Sequence, residues 1–152
     1  ISSPELMAGV SLTRAQQMLE AAYRRLAAHP KLSSRPIAML GLGAGGGWGA
    51  RFATGPNAFA VLVFDSTPLY RDPESMAKIR APVLLITGLA SSTFPPEKIN
   101  ELKAAFAKSG VPFTVESIGN AGNDMLDPWA MGFSPRAYDE ALAKVLGVLG
   151  KL

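Results

Sequence analysis

A run of glycines between residues 36 and 49 has the arrangement most suited to chemistry in this chain. Residues 36–42 read as a short buried strand, the following glycines as a tight turn, and Trp48 falls near the start of a helix. A strand, a sharp turn and a helix form the layout of the motif G-x-S-x-G, in which the middle residue attacks a substrate. The middle residue here is Gly43, which has no side chain and so offers no nucleophile.

The same glycines also fit a dinucleotide-binding fingerprint. Gly41, Gly43 and Gly46 match G-x-G-x-x-G after a strand and before a helix. Asp65 ends the next predicted strand, at about the distance expected of an acid that binds a ribose. Trp48 lies within the first helical turn, where it disfavours this interpretation. Nucleotide or other small-molecule binding at these four positions therefore stays an alternative function.

The composition excludes several functional classes. The chain has 152 residues, 48% hydrophobic and 18% charged, which suits one folded domain and not a disordered segment. The net charge is +3 and the basic residues are scattered, so we expect no nucleic-acid partner. The absence of cysteine excludes disulfides and thiolate metal sites, and a single histidine, His29, cannot form an imidazole cluster. We therefore expect no metal and no cofactor.

The sequence gives few indications of where the protein resides. No apolar run approaches the length of a membrane span, and no signal peptide is visible. These patterns predict a soluble protein, cytoplasmic or periplasmic, with no membrane span. The chain begins with Ile1 instead of Met, which suggests a processed or truncated product.

Short apolar runs alternate with helical patterns along the chain. Because the runs are apolar throughout, they predict parallel strands buried on both faces of a sheet. The expected fold is α/β, a three-layer α/β sandwich with a mainly parallel sheet, in one domain over 1–152 with an irregular lead-in at 1–10. The predicted strands are Ile37–Leu42, Phe59–Phe64, Val83–Thr87 and Pro112–Ile118. The predicted helices run from Ser11 to Ala28, from the glycines to Ala53, around Pro73–Ile79, from Pro95 to Gly110, and onward from Ser134.

Several segments, in this order, resemble the dienelactone hydrolase family of α/β-hydrolases. The stretch 79–88, IRAPVLLITG, resembles the family's strand I-x-x-P-x-L-x-x-x-G, and 88–97 resembles the segment G-x-x-D-x-x-x-P-P-E that carries the acid. Residues 119–128 resemble the loop G-x-G-H-x-F-x-x-P that carries the histidine. Residues 25–30 resemble the helix ahead of the nucleophile strand, and 134–152 resemble the closing helix.

This resemblance implies a catalytic triad in which every position is substituted. The nucleophile position is Gly43, the acid position is Ser91 and the histidine position is Asn123. A triad needs a nucleophile, a base and a group that orients the base. The substitutions therefore predict a non-catalytic protein, a pseudoenzyme that serves as a structural or interaction subunit. Asp124 and Asp127, which flank the histidine position, are expected in a solvated loop.

The resemblance also implies a truncated α/β-hydrolase-like fold. In that fold about four strands precede the nucleophile strand, and a loop among them supplies half of the oxyanion hole. Only about 36 residues precede Ile37, and they are mostly helical by pattern. One side of the strand Ile37–Leu42 therefore lacks an obvious partner, and an open apolar edge invites strand addition. We expect another chain of an assembly, or a second copy, to join there; a hydrolase completed by another chain is a further alternative.

The remaining candidates have ordinary structural explanations. His29 precedes the strand whose far end would hold the site, so we expect a loop histidine that cannot reach Gly43. The serines near strand ends have no visible base, which argues against a nucleophilic serine; they are Ser66, Ser91 and Ser92. An apolar loop is expected either to pack into the core or to form a contact surface; its residues are Met125, Trp129, Met131 and Phe133.

Overall fold

Four parallel strands form the sheet in the computed structural model, which describes residues 11–66, 69 and 73–152. The strands are β1 (Ala38–Leu42), β2 (Val61–Asp65), β3 (Val83–Gly88) and β4 (Phe113–Ile118). Their spatial order is β1-β2-β3-β4, with Leu40 opposite Val63 and Leu85 opposite Val115. The predicted parallel sheet is confirmed. The predicted lead-in at 1–10 lies outside the described residues.

Helices connect the strands and begin where the sequence signals place them. They are α1 (Leu12–Ala27), α2 (Gly43–Phe52), α3 (Pro73–Met76), α4 (Pro96–Ser109) and α5 (Pro135–Leu149). Ser11 caps α1 by accepting a hydrogen bond from the Arg14 backbone N–H at 3.2 Å, and Ser134 caps α5 through Ala137. Gly110 ends α4 with φ of 72°, a conformation that glycine adopts without strain.

Both faces of the sheet are covered, as the buried strand pattern predicts. Strands β2 and β3 are buried along their whole length. On one face Leu62, Phe64 and Leu85 pack with helices α2 and α4, where Phe106 stacks on Phe113 with ring centroids 4.4 Å apart. On the other face the alternate strand residues pack with Ala141 of α5. The predicted three-layer sandwich is therefore confirmed.

Two element boundaries differ from the prediction by more than one residue. The second strand begins at Val61 and not at Phe59, and the Ala60 N–H donates to the Ile37 carbonyl at 2.8 Å. The helical turn at Pro73 ends at Met76 and not at Ile79, because the next residues form tight turns instead of a continued helix. The apolar patterns locate these segments well but locate their ends only to within a few residues.

The chain separates into two units, one ending at Arg35 and the other running from Pro36 to Leu152. The first contains α1 and the loop that follows it. The second contains the whole sheet, helices α2 to α5 and every candidate site residue except His29. One domain over 1–152 stays a prediction.

Candidate functional site

The candidate site lies at one edge of the sheet, where all four strands end. Parallel strands place their carboxyl ends together, and in open α/β sheets this edge is where ligands bind. The residues that follow β1, β3 and β4 include Gly43, Ser91 and Asn123, the three positions that the family resemblance assigns to the triad. Asp65 and Ser66 stand at the end of β2. The fold thus brings the sequence-predicted residues to one edge.

Gly43 has a backbone conformation that few other residues adopt. Its φ is +47°, in the left-handed region, at the junction where β1 ends and α2 begins. A Cβ at this position would lie 3.2 Å from Asp124 Oδ1, so the Asp124 carboxylate borders the space where a side chain would project. The strand, turn and helix predicted around Gly43 are present, and the turn has the sharp geometry that the sequence predicts.

Close packing of strand on helix explains a second glycine in the motif, Gly41. A Cβ on Gly41 would lie 2.5 Å from the Gly46 Cα and 2.8 Å from Phe64 Cδ1. Both contacts are too short for carbon atoms that are not bonded, so glycine is required there for α2 to approach β1. The first glycine of the spacing that resembles a dinucleotide fingerprint therefore has a structural cause that needs no ligand.

Ser91 and Asn123 contact each other across 32 residues of sequence. The Ser91 hydroxyl hydrogen bonds to Asn123 Oδ1, and Ser91 Oγ accepts from the backbone N–H groups of Thr93 and Phe94, each at 3.2 Å. The bond between Ser91 and Asn123 joins the loop after β3 to the loop after β4, and the other two hold the turn around Ser91. The two positions that resemble the acid and histidine of a triad are therefore adjacent in space, with neutral side chains in place of an ion pair.

Asp65 is buried, and both of its carboxylate oxygens accept hydrogen bonds from other residues of the chain. Its side chain accepts a hydrogen bond from the Ser66 hydroxyl at 3.0 Å and another from the Leu126 backbone N–H at 2.6 Å. Burial raises the pKa of this carboxyl above its ordinary value; the two hydrogen bonds act the other way, and the charges of Asp124 and Asp127 add to the rise. Asp65 therefore anchors the loop after β4 to the end of β2.

Asp124 is half-buried at this edge, beside Gly43. Burial raises the pKa of its carboxyl, and the neighbouring charge of Asp127 raises it further. Asp127 accepts from the backbone N–H of Trp129 at 2.9 Å and shapes the turn there. The sequence predicts a solvated loop for both aspartates, whereas the structure has each of them partly buried.

No group of side chains suited to holding a metal ion occurs within 11–66, 69 and 73–152.

The apolar loop after β4 divides between core and surface. Met125 is buried beneath the sheet face that α5 covers, whereas Trp129 is 85% exposed and Met131 fully so. Phe133 packs edge-to-face on Tyr138, with ring centroids 5.8 Å apart. The sequence leaves core packing and surface contact as alternatives for this loop. In the structure Met125 packs into the core, whereas Trp129 and Met131 lie on the surface.

His29 lies in the first unit, exposed in the loop after α1, and its Nδ1 accepts from the Lys31 N–H at 3.2 Å.

No helix in the part of the chain that the structure describes is long and apolar enough to cross a membrane.

The parallel sheet, the glycine elbow and the loops at the carboxyl edge define a partial α/β-hydrolase fold. A model of the dienelactone hydrolase family matches residues 4–152, so the chain belongs to that family. The predicted resemblance is confirmed at the level of the family. A search of curated proteins found no match.

Solved structures show the same fold at low sequence identity. A dienelactone hydrolase-like promiscuous phosphotriesterase from metagenomic libraries has a TM-score of 0.79 and 19% identity, over 92% of this chain and 62% of its own. Thermogutta terrifontis esterase 2 has a TM-score of 0.67 and 18% identity, over 92% of this chain and 64% of its own. The monoacylglycerol lipase of Paleococcus ferrophilus has a TM-score of 0.67 and 17% identity, over 92% of this chain and 75% of its own.

The chain thus spans a little under two thirds of the first two of these structures. The family match confirms the predicted hydrolase-like fold in a partial form. What the sequence did not reveal is that Asp124 stands beside Gly43 and that Asp65 bonds to Leu126. The only sequence signal for the first contact is that Asp124 directly follows Asn123.

Proposed function

We propose that this chain is a non-catalytic member of the dienelactone hydrolase family that serves as a structural or interaction subunit of a larger assembly. The observation that supports this best is the contact between Ser91 and Asn123 at the edge where Gly43 begins α2. It fits a triad site whose geometry remains while its reactive groups are absent.

The chemistry of the three positions supports the proposal. Glycine has no atom that can attack a carbonyl. The Asn123 amide does not accept a proton at neutral pH, so it cannot replace a histidine base. Ser91 carries no charge that could orient and stabilise a protonated base. Each role in nucleophilic hydrolysis is therefore without a competent side chain at the expected place.

The half-buried Asp124 carboxylate is the side chain that argues most strongly against a non-catalytic role, because it could act as a general base. It lies beside Gly43, and burial raises its pKa, as for a general base. It has no nucleophile to activate within the elbow, so hydrolysis through Asp124 would need a bound water and a substrate held by other groups. In the alternative of a hydrolase completed by another chain, that chain would supply the groups that hold the substrate.

A nucleotide-binding function has less support from the site. Asp65, the residue that would bind a ribose, has its side chain buried and bonded to Ser66 and Leu126. Gly41 is explained by strand–helix packing. Nucleotide binding stays the second candidate, because the N-terminus of α2 at Gly43 has the orientation that suits a phosphate.

The proposal is tested first by rapid mixing with an activated ester, p-nitrophenyl acetate. We expect no burst of nitrophenolate and no turnover above that of the same concentration of free amino acids. An Asp124→Asn variant serves as the matched control. A burst or a steady turnover that scales with the wild-type protein and disappears in Asp124→Asn would contradict the proposal and establish a hydrolase.

The interaction role is tested separately by sedimentation velocity of the purified chain at micromolar concentrations. We expect association beyond the monomer. A stable monomer that also unfolds cooperatively would contradict a role in an assembly of its own copies, and native co-purification would then have to supply a different partner chain.

A further inference from the structure

We draw no further inference here: the strongest candidate, the exposed apolar surface that Trp129, Met131 and Phe133 form in the loop after β4, carries nothing because no feature of the residues that the structure describes shows what covers it.

Discussion

At the scale of single residues, Gly43 explains why the elbow keeps its shape without a reactive side chain. Its φ of +47° is strained for any residue with a Cβ, and enzymes accept such strain where function needs it. Glycine has the same conformation at little cost. The elbow at the end of β1 is therefore compatible with a stable, unreactive turn.

We expect Gly43→Ala to lower the free energy of unfolding by about 1–3 kcal/mol, because alanine is strained at positive φ and its Cβ would crowd Asp124. Urea unfolding monitored by circular dichroism measures the change. Gly45→Ala is the control: it lies in the first turns of α2 with open space around a Cβ, and should instead stabilise by up to about 1 kcal/mol. Equal effects at the two positions would show that the positive φ is not the cause.

Asp124 gives the protein a predictable response to pH. Its pKa is raised above the ordinary 3.8, so the folded chain keeps this proton at a pH where the unfolded chain has lost it. Rising pH in that window therefore destabilises the wild type. We expect Asp124→Asn, whose side chain tolerates the φ of 55°, to gain stability relative to the wild type as pH rises above about 3.8.

The measurement is a series of urea unfolding curves from pH 3 to pH 7, compared between the variant and the wild type. Asp139→Asn on α5 controls for the loss of one negative charge, since Asp139 is exposed. A difference between Asp124→Asn and the wild type that stays constant across this range would contradict the raised pKa.

At the scale of elements, local signals identified most of the fold. Helix ends depend on residues close by in sequence, so a local pattern is enough to locate them. The side chains of Ser11 and Ser134 cap the starts of α1 and α5. Gly110 ends α4 because glycine adopts a positive φ without strain. Strands β2 and β3 are apolar throughout because both faces are covered, and this is visible in the sequence. The start of β2 was harder, since Phe59 is as apolar as Val61 but precedes the paired residues.

The contacts of the candidate site lie beyond such local signals. Asp65 bonds to Leu126, 61 residues later, and Ser91 bonds to Asn123, 32 residues later. A sequence pattern reports spacing along the chain, whereas these bonds depend on how the loops after β2, β3 and β4 converge. The family resemblance predicts that Ser91 and Asn123 lie close together. No feature of the sequence predicts that the Asp65 carboxylate is buried and bonded to the loop after β4.

The junction between β3 and the loop after β4 permits a prediction about this convergence. A Cβ on Gly88 would lie 2.0 Å from the Ala121 carbonyl oxygen and 2.2 Å from that of Gly122. Since these are backbone atoms, Gly88→Ala must displace the loop, and we expect a loss of about 1–3 kcal/mol or more in unfolding free energy. Gly119→Ala, in the same region with open space, should cost less than about 1 kcal/mol. Similar losses in both variants would contradict the proposed contact.

The glycine turn between β1 and α2 should not bind a dinucleotide. Asp65 is buried and bonded, so it is not available to a ribose. We expect isothermal titration calorimetry with NAD and with FAD to give no heat of binding at micromolar concentrations. Micromolar binding that is abolished by Asp65→Ala or Gly43→Val would reverse this conclusion and support the second candidate function.

At the scale of the whole molecule, residues 1–152 span only part of the length of the solved structures that they resemble. They cover 62% of the metagenomic phosphotriesterase and 64% of the Thermogutta terrifontis esterase. The family resemblance implies that the strands before the elbow bring one donor of the oxyanion hole. Removing a single donor of this kind slows enzymes by about 10²–10³-fold. Placing serine, aspartate and histidine at positions 43, 91 and 123 of residues 1–152 should therefore not produce an efficient hydrolase.

We expect the triple variant Gly43→Ser, Ser91→Asp, Asn123→His to acquire at most a slow acylation by p-nitrophenyl acetate. Its rate should be at least about 10²-fold below that of the Thermogutta terrifontis esterase assayed beside it. The double variant Ser91→Asp, Asn123→His, which keeps Gly43, should give no burst and controls for general-base hydrolysis. A triple variant as fast as the esterase would mean that residues 1–152 already contain a complete oxyanion hole. In that case the absence of the triad side chains alone would separate this chain from a catalyst.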